Sequence, residues 1–547
     1  MFKLVFLILC SYFALVSTKL RWVELKPSSS QVPSARRDSS IGYDPNTDRV
    51  VIFGGRSDAT LGDTWIFDLT SKTWSKVTET RVNGKPVPEP RFSMVYGSNG
   101  GHLYISTGEF SGGGTKAFYS DILRFNYSTS QWSLLEPKSS VRPEERYGSG
   151  GGIHPDGDGF FVTHGFADIR YSNTFKFDLE TMKWEERFAG TNSYNPAYPH
   201  ARCLHGSAMT ARDELVLYGG CLGGGHTGGP CPSEDGWKFD SGKKWTLLKQ
   251  CPSPRMYSAM AMLPSGNDGR RIAVLYGGTE KTKSVLYTAE APENEVILFD
   301  PDSNKWSRKK IEGVVPSKRA GHVMATAKDG IVMFGGSGAN GSVNDIWLLL
   351  GNTSDVDEME DIECDGMNLN LIMLHGILMF IGWGVLLQGG AFIARYFRHK
   401  DPWWFKMHRG LQVSGLVFAI GGFACAVVSV PFDHLMFAHG SLGLAIMIMG
   451  ILQPLNAIIR PHKHRDGSPT RKRIIWEWCH KLLGRLALVL ALINICLGLF
   501  LAVVPQVAWT VWYAVLGVFL VAYVVMELRI RCRRSPSEAV VIAMKTT

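Results

Sequence analysis

Apolar and polar positions follow two different rhythms along this chain. Through residues 19–350, short apolar stretches alternate with polar and glycine-rich ones, the pattern of β-strands joined by turns. From residue 369 the rhythm changes. Residues 369–394, 405–430, 435–458, 478–503 and 508–528 are five nearly unbroken apolar runs. Each is roughly 20 residues or longer, the length a helix needs to cross about 30 Å of hydrocarbon. The pattern predicts a multidomain chain, all-β first and then an all-α bundle of five membrane spans with a four-helix core.

The β region repeats. Each unit has an Arg, an apolar strand ending in Gly-Gly or a variant, then a second strand and a Trp. The glycine positions are Gly54-Gly55, Gly108-Glu109, Gly165-Phe166, Gly219-Gly220, Gly277-Gly278 and Gly335-Gly336, and the units recur every 52–61 residues. A period near 50 is similar to that of kelch repeats, each a four-stranded propeller blade. The tryptophans Trp74, Trp132, Trp184, Trp245 and Trp306 mark last strands, whereas the sixth unit stops at Trp347 without one. Trp22 precedes the first glycine pair, so residues 20–25 are expected to supply the missing strand and close a six-bladed ring, leaving no bare sheet edge. The resemblance implies a fold and no chemistry.

Ionisable side chains are costly inside a bilayer, which makes the apolar runs informative where they are interrupted. His375, His408, His439 and His480 each lie in the first two turns of one of the first four runs. Successive spans alternate in direction, so His375 and His439 fall near one face and His408 and His480 near the other. A single such histidine most simply bonds a neighbouring helix. Two pairs at matched depths fit a different purpose, since neutral imidazole is an axial ligand for haem iron. Gly376, Gly440, Gly443 and Gly484 beside them leave room for a flat macrocycle, as they would for close helix packing. The reading is two b-type haems, the outer held by His375 and His439 and the inner by His408 and His480.

The flanking residues carry a resemblance. His375-Gly376 with Gly382-Trp383-Gly384 and Ala394-Arg395-Tyr396 looks like the first core helix of the cytochrome b-561 superfamily. So do the later segments His408-Arg409-Gly410-Leu411-Gln412, His439-Gly440-Ser441-Leu442-Gly443, Leu452-Gln453-Pro454-Leu455-Asn456 and His480-Lys481-Leu482-Leu483-Gly484-Arg485. The match over about 367–530 is closest to the ferric-chelate-reductase-like branch. This chain has five runs where stand-alone members have six, and repeats where that branch carries DOMON domains. The resemblance implies ascorbate as cytosolic donor and ferric chelate or monodehydroascorbate as acceptor, hence a transmembrane ascorbate-dependent oxidoreductase. The competing function class is a membrane receptor or adhesion protein whose propeller binds a protein or glycan ligand and whose haems sense redox state.

Charge settles the expected topology. Met1–Thr18, with Lys3 ahead of an apolar core from Leu4 to Val16, reads as a secretory signal peptide. The repeats at 19–350 are then extracellular or lumenal, followed by an acidic linker at 351–366, the membrane domain at 367–530 and a cytoplasmic tail at 531–547. Arg395, Arg398, Lys400, Lys406 and Arg409 fill one loop, and Arg460, Lys463, Arg465, Arg471, Lys472 and Arg473 another. The loops around Asp433 and Pro505 carry no Lys or Arg, in keeping with the positive-inside rule. The net charge of +9 thus reflects topology and calls for no nucleic acid partner. The membrane is the plasma membrane or an endomembrane. Lys406, Arg409, Arg460, Lys481 and Arg485 flank the inner histidines and could attract an anionic reductant. No catalytic residue is assigned, and no glycine-rich dinucleotide fingerprint occurs in the cytosolic loops.

Four cysteines cluster around the fourth repeat. Cys221 with Cys231 and Cys203 with Cys251 are the preferred disulfides, the other pairings staying open. Asn126, Asn340 and Asn352 head glycosylation motifs. His102, His154, His164, His200, His205, His226 and His322 lack metal-ligand spacing and read as surface or packing residues. The repeated Arg37, Arg91, Arg146, Arg202, Arg255 and Arg319 are expected to tie blades together, with an anion-binding ring as the rival.

Overall fold

The structure, a computed structural model, describes residues 19–543 apart from 192–194, 196, 223–230, 249–251, 281–290, 358, 363–370, 430–437, 463, 465–467, 503 and 505. The proposed signal peptide, His226 and Cys251 lie outside the described residues. The chain divides into two compact units, Met1–Cys364 and Asp365–Thr547.

The first unit is a six-bladed propeller. Its first blade runs Ser40–Asp44, Arg49–Phe53, Thr64–Asp68 and Thr73–Lys76 in an antiparallel sheet, and four further blades repeat this order. Val50, Val51, Ile52 and Phe53 are all fully buried because a blade is covered on both faces. Each apolar cluster accordingly lies between neighbouring blades; one joins Ile41, Val50 and Phe67 of the first to Val332, Phe334 and Ile346 of the last. The sixth blade combines Val323–Ala327, Gly330–Phe334 and Ile346–Leu350 with a strand from the other end of the propeller, Arg21–Glu24. Arg21 stands opposite Leu350 and Glu24 opposite Trp347, and Leu20, Trp22 and Leu25 are buried. The closure expected from the Trp offset is the one observed.

The arginine ring differs from expectation at one position. The buried first member is Arg36; Arg37, the expected one, is only partly buried. Arg36, Arg146, Arg202, Arg255 and Arg319 each donate from Nη1 to the carbonyl at the end of the next strand, at Gly54, His164, Gly219, Gly277 and Gly335. Asp63, Asp235 and Asp345 pair with Arg36, Arg202 and Arg319 at 2.6–2.7 Å. The main-chain carbonyl of each arginine accepts from the preceding blade, as from Gly336 N to Arg36 O and Gly55 N to Arg91 O, both 2.9 Å. The side chains thus brace strands within their own blade, which engages them against an anion, and the expected tie between blades is made by the main-chain carbonyls. A Cβ on Gly54, whose φ is +67°, would sit 2.5 Å from Arg91 O, so the repeated glycines are set by this close approach.

Two residues beyond each arginine, a further ring closes about the propeller axis. Asp38, Ser93, Gly148, Leu204, Tyr257 and Gly321 all have φ between 55° and 68°. Asp38 N donates to Gly321 O, Gly321 N to Tyr257 O, Tyr257 N to Leu204 O, Leu204 N to Gly148 O, Gly148 N to Ser93 O, and Ser93 N to Asp38 O, at 2.7–3.0 Å. The circle of six peptide hydrogen bonds is complete. A cavity of about 810 Å³ lies along the axis, lined in part by the strands that leave this ring.

His164, His205 and His322 are packing residues, as expected; His102 and His154 lie at turns, bonded to Gly100 O and beside Asp156. Neither ring nitrogen of His205 or His322 has a partner among the described residues, and burial pushes both down to about 3. The unfolded chain takes up protons below its ordinary value near 6.5, whereas the folded one does not until about 3. Stability is therefore lost as pH falls through this window, by about 2 kcal/mol per histidine at pH 5. Desolvation raises Asp38, Glu109 and Glu295, which act in the opposite sense, so a variant must isolate the histidines. Residues 19–362 are expected to lose roughly 4 kcal/mol more between pH 7 and 5 than the same fragment carrying His205→Asn and His322→Asn. Denaturant titrations giving equal losses would refute this.

The acidic segment at 351–366 departs from the expected solvated linker. Its described part is packed on the propeller. Glu360–Asp361 pairs with Lys305–Lys310 as a fifth strand of the fifth blade, and Val356 and Ile362 are buried. Asp357 bonds Lys309 and lies 3.2 Å from Lys19, while Arg270 donates to Thr353 O at 2.7 Å. Basic groups on the propeller explain why an acidic run docks there. Disulfide Cys221–Cys231 is present, whereas the pairing of Cys203 with Cys251 lies outside the described residues. Asn126 and Asn352 accept local backbone hydrogen bonds at turns, and Asn340 is exposed at a turn.

The second unit holds five helices long and apolar enough to cross a membrane: α1 (Leu371–Tyr396), α2 (Trp403–Val428), α3 (Ala438–Ile458), α4 (Arg471–Leu501) and α5 (Gln506–Cys532). Helix α1 winds more loosely over Phe380–Leu386, where Gly382, Trp383 and Gly384 are buried. The core contains Trp383, Leu387, Ala419, Ile446, Met447, Ala487 and Ala491. Small partners make room for the indole: a Cβ on Gly450 would lie 3.0 Å from Trp383. Val417, Val489 and Val518 among many others face outward, as lipid-facing positions do.

Candidate haem sites

Each histidine is held by the helix beside it. His375 Nδ1 lies 2.8 Å from Gly422 O, His408 Nδ1 2.9 Å from Gly390 O, and His439 Nδ1 3.1 Å from Asn494 O. The fourth, His480 Nδ1, meets the side-chain amide of Gln453 at 2.7 Å. The holding is reciprocal. On every helix the histidine and the residue holding its neighbour's histidine stand 14 or 15 positions apart: His375 and Gly390, His408 and Gly422, His439 and Gln453, His480 and Asn494. At about 1.5 Å per residue, the two levels are roughly 21 Å apart.

At the level of His375 and His439, the ring centres are 6.2 Å apart and the planes nearly perpendicular, at 87°. Two imidazoles on opposite sides of one metal at about 2.0 Å, with ring centres roughly 1.1 Å behind the nitrogens, would stand about 6.2 Å apart. Nδ1 is engaged on both rings, which directs Nε2 to the gap. A side chain at Gly376 would meet nothing within 4 Å, and one at Gly443 only the Asn494 amide at 3.1 Å. Asn494 leaves its side-chain oxygen buried without a partner among the described residues. No group of three or more His, Cys, Asp or Glu able to hold a metal occurs among the described residues. A metal held here by two imidazoles must bring its remaining ligands with it, as haem iron does. The residues fit the group.

The other level differs in its surroundings. Trp476 stacks parallel on His480, 5.4 Å between centres and 5° between planes, and donates from Nε1 to Asn456 O at 2.7 Å. Trp404 lies 6.5 Å from His408. Each tryptophan is four residues before its histidine, a spacing that puts both on one helix face. That repeated Trp-x-x-x-His pattern is legible in the sequence. Of the basic residues expected here, Lys406, Arg409, Arg460, Lys481 and Arg485 are all exposed. Arg460 lies over the Trp476 ring at 5.9 Å, and Arg409 over Phe405 at 5.8 Å. Lys481 pairs with Glu477 at 3.1 Å, a carboxylate that also takes Arg473, itself buried. The basic charge at this level is thus partly cancelled by Glu477.

Comparison with known proteins matches both halves. The model of the KLHDC2/KLHL20/DRC7 Kelch-repeats domain matches residues 8–220 and 207–410, and that of eukaryotic cytochrome b561 matches residues 374–504. The latter stretch takes in all four histidines. A cytochrome b561 and DOMON domain-containing protein of Arabidopsis thaliana is 37% identical over 163 residues, 29% of this chain and 39% of its own length. A cytochrome b561, DM13 and DOMON domain-containing protein of the same plant is 37% identical over 128 residues, 23% of this chain and 14% of the relative. A Xenopus laevis protein named as a candidate ferric-chelate reductase is 30% identical over 138 residues, covering 24% and 22%. In each case the shared region spans well under half of the relative. The chain belongs to the kelch-repeat family, and behind its propeller it carries a cytochrome b561 domain.

Proposed function

We propose that this multi-pass membrane protein passes single electrons across the membrane through two b-type haems, one held by His375 and His439 and the other by His408 and His480. The observation that carries the reading is the two-level array, with every Nδ1 fixed by a neighbouring helix and the outer rings 6.2 Å apart. Haem supplies an iron that accepts and releases one electron at a potential tuned by its surroundings. The chain's own residues orient the imidazoles, keep water out with an apolar bundle, and set the local charge. Family kinship supports ascorbate as the cytosolic donor and ferric chelate or monodehydroascorbate as the acceptor on the propeller's side. The basic loops support a cytosolic position for the His408 and His480 level.

The test is purified protein in sealed vesicles, with ascorbate on one face and ferric chelate on the other. Reduced b-type spectra followed by ferrous product on the far side are expected. A protein without haem, or one reduced only from the propeller's face, would overturn the reading. Arg409 and Lys481 flank the inner ligands, but among the described residues only Lys481 is paired with a carboxylate. Arg409→Gln should therefore slow ascorbate reduction about three- to tenfold at low salt, and Lys481→Gln less. Both effects should fade as exposed charges are screened within about 8–10 Å. Equal rates at low salt would remove Arg409 from the donor site.

A further inference from the structure

Three of the four histidines are held by main-chain carbonyls and one by a side chain. A carbonyl inside a helix presents only an acceptor. The amide of Gln453 presents an acceptor on one side and a donor on the other, and it can turn over. In one orientation Nε2 of Gln453 donates to His480 Nδ1 at 2.7 Å and to His480 O at 3.2 Å, while its Oε1 accepts from Gly484 N at 3.2 Å. All three contacts are satisfied, and the imidazole proton then sits on Nε2, the nitrogen a metal would take. In the other orientation Oε1 faces Nδ1, accepts its proton and leaves Nε2 of His480 free to ligate, at the cost of setting Oε1 against His480 O and the amide nitrogen against Gly484 N–H. At His375, His408 and His439 the carbonyls permit only the second state.

We propose that Gln453 is the positioning residue of the inner haem site, and that the turn of its amide sets both the loading and the reduction potential of that haem alone. A donor to Nδ1 blocks ligation. An acceptor from Nδ1–H makes the imidazole a stronger base, as partners beyond the ligand shell do in metal sites, and favours the oxidised iron. Helix packing keeps the amide in reach: Gly484 stands where a Cβ would be 3.5 Å from the Gln453 amide oxygen. Trp476, stacked parallel to the ring, limits the swing of His480. The inference rests on the haem reading above.

The experiment is redox titration of the full-length protein and of Gln453→Glu and Gln453→Met, with haem content and the low-spin electron paramagnetic resonance signal of each centre recorded. Glutamate offers acceptors only, and methionine offers no comparable partner. The glutamate variant should load the inner site fully and move its reduction equilibrium at least tenfold toward the oxidised form, 59 mV for one electron. The methionine variant should move it the other way, and the outer centre should stay put in both. Should methionine cost the inner haem, the glutamate variant decides alone. An inner equilibrium within a factor of two of the parent, equal movement of both centres, or loss of the inner haem from both variants would overturn the assignment. Absence of haem from the parent protein would instead overturn the function proposed above, so the two failures are distinguishable.

Discussion

His375→Ala and His439→Ala should each remove the same haem and leave the other. Half the haem content, about one of two equivalents, is the expected loss, because an axial imidazole is withdrawn from a site with two. The rings face each other at 6.2 Å. His408→Ala and His480→Ala should remove the complementary component. Optical and paramagnetic spectra of the four single variants check the pairing. If His375→Ala and His408→Ala abolished one and the same component, the pairing would be wrong. The double variant His375→Ala, His439→Ala should lose no more haem than either single one, since both act on one centre.

Removing residues 19–25 should cost the propeller most of its stability. The strand Arg21–Glu24 is the fourth of its blade, and Leu20, Trp22 and Leu25 are at most 7% exposed. Burying three such side chains contributes about 5–8 kcal/mol, against a total of about 5–15 kcal/mol for a folded domain. Trp22 also lies 5.0 Å from the ring of Tyr276 in the neighbouring blade, so two blades lose a partner. A fragment of residues 26–362 should melt roughly 10–20 °C below residues 19–362, or without cooperativity. Equal midpoints in calorimetry would refute the closure. The fragment must end at 362, since the segment after residue 350 is part of the fold.

What the sequence disclosed, it disclosed through spacing. Trp22 ahead of the first Gly-Gly and Trp347 without a successor are positional facts, and they located the seam of the ring. The depth of the four histidines is likewise a matter of counting along apolar runs. The misreadings arose where composition stood in for position. Arg36 and Arg37 are adjacent and alike, and only the hydrogen bonds to Gly54 and Asp63 tell which one is buried. The acidic run at 351–366 looked solvated because Lys19, Arg270 and Lys309, which receive it, are distant in sequence. Lys481 reads as a free cation from the basic residues alone, whereas Glu477 one turn away pairs with it. The loosened turn at Phe380–Leu386 has no one-letter signature, and the hold of Gln453 on His480 depends on two helices meeting at one height.

The circle of peptide hydrogen bonds through Asp38, Ser93, Gly148, Leu204, Tyr257 and Gly321 makes the propeller a hoop. An open array of repeats has end units that fray, and its units can be lost one after another. A hoop has no end unit. Its six links carry any load in series, so opening one relaxes the tension in the other five. The chain places a non-covalent splice, between Arg21–Glu24 and Ile346–Leu350, in the blade that joins the first link to the last. Pulling the two termini of the propeller apart therefore peels residues 351–362 from the fifth blade and then shears one antiparallel pair of strands. Force spectroscopy on this unit should register release of that segment, then one rupture that takes the whole ring, with no staircase of six.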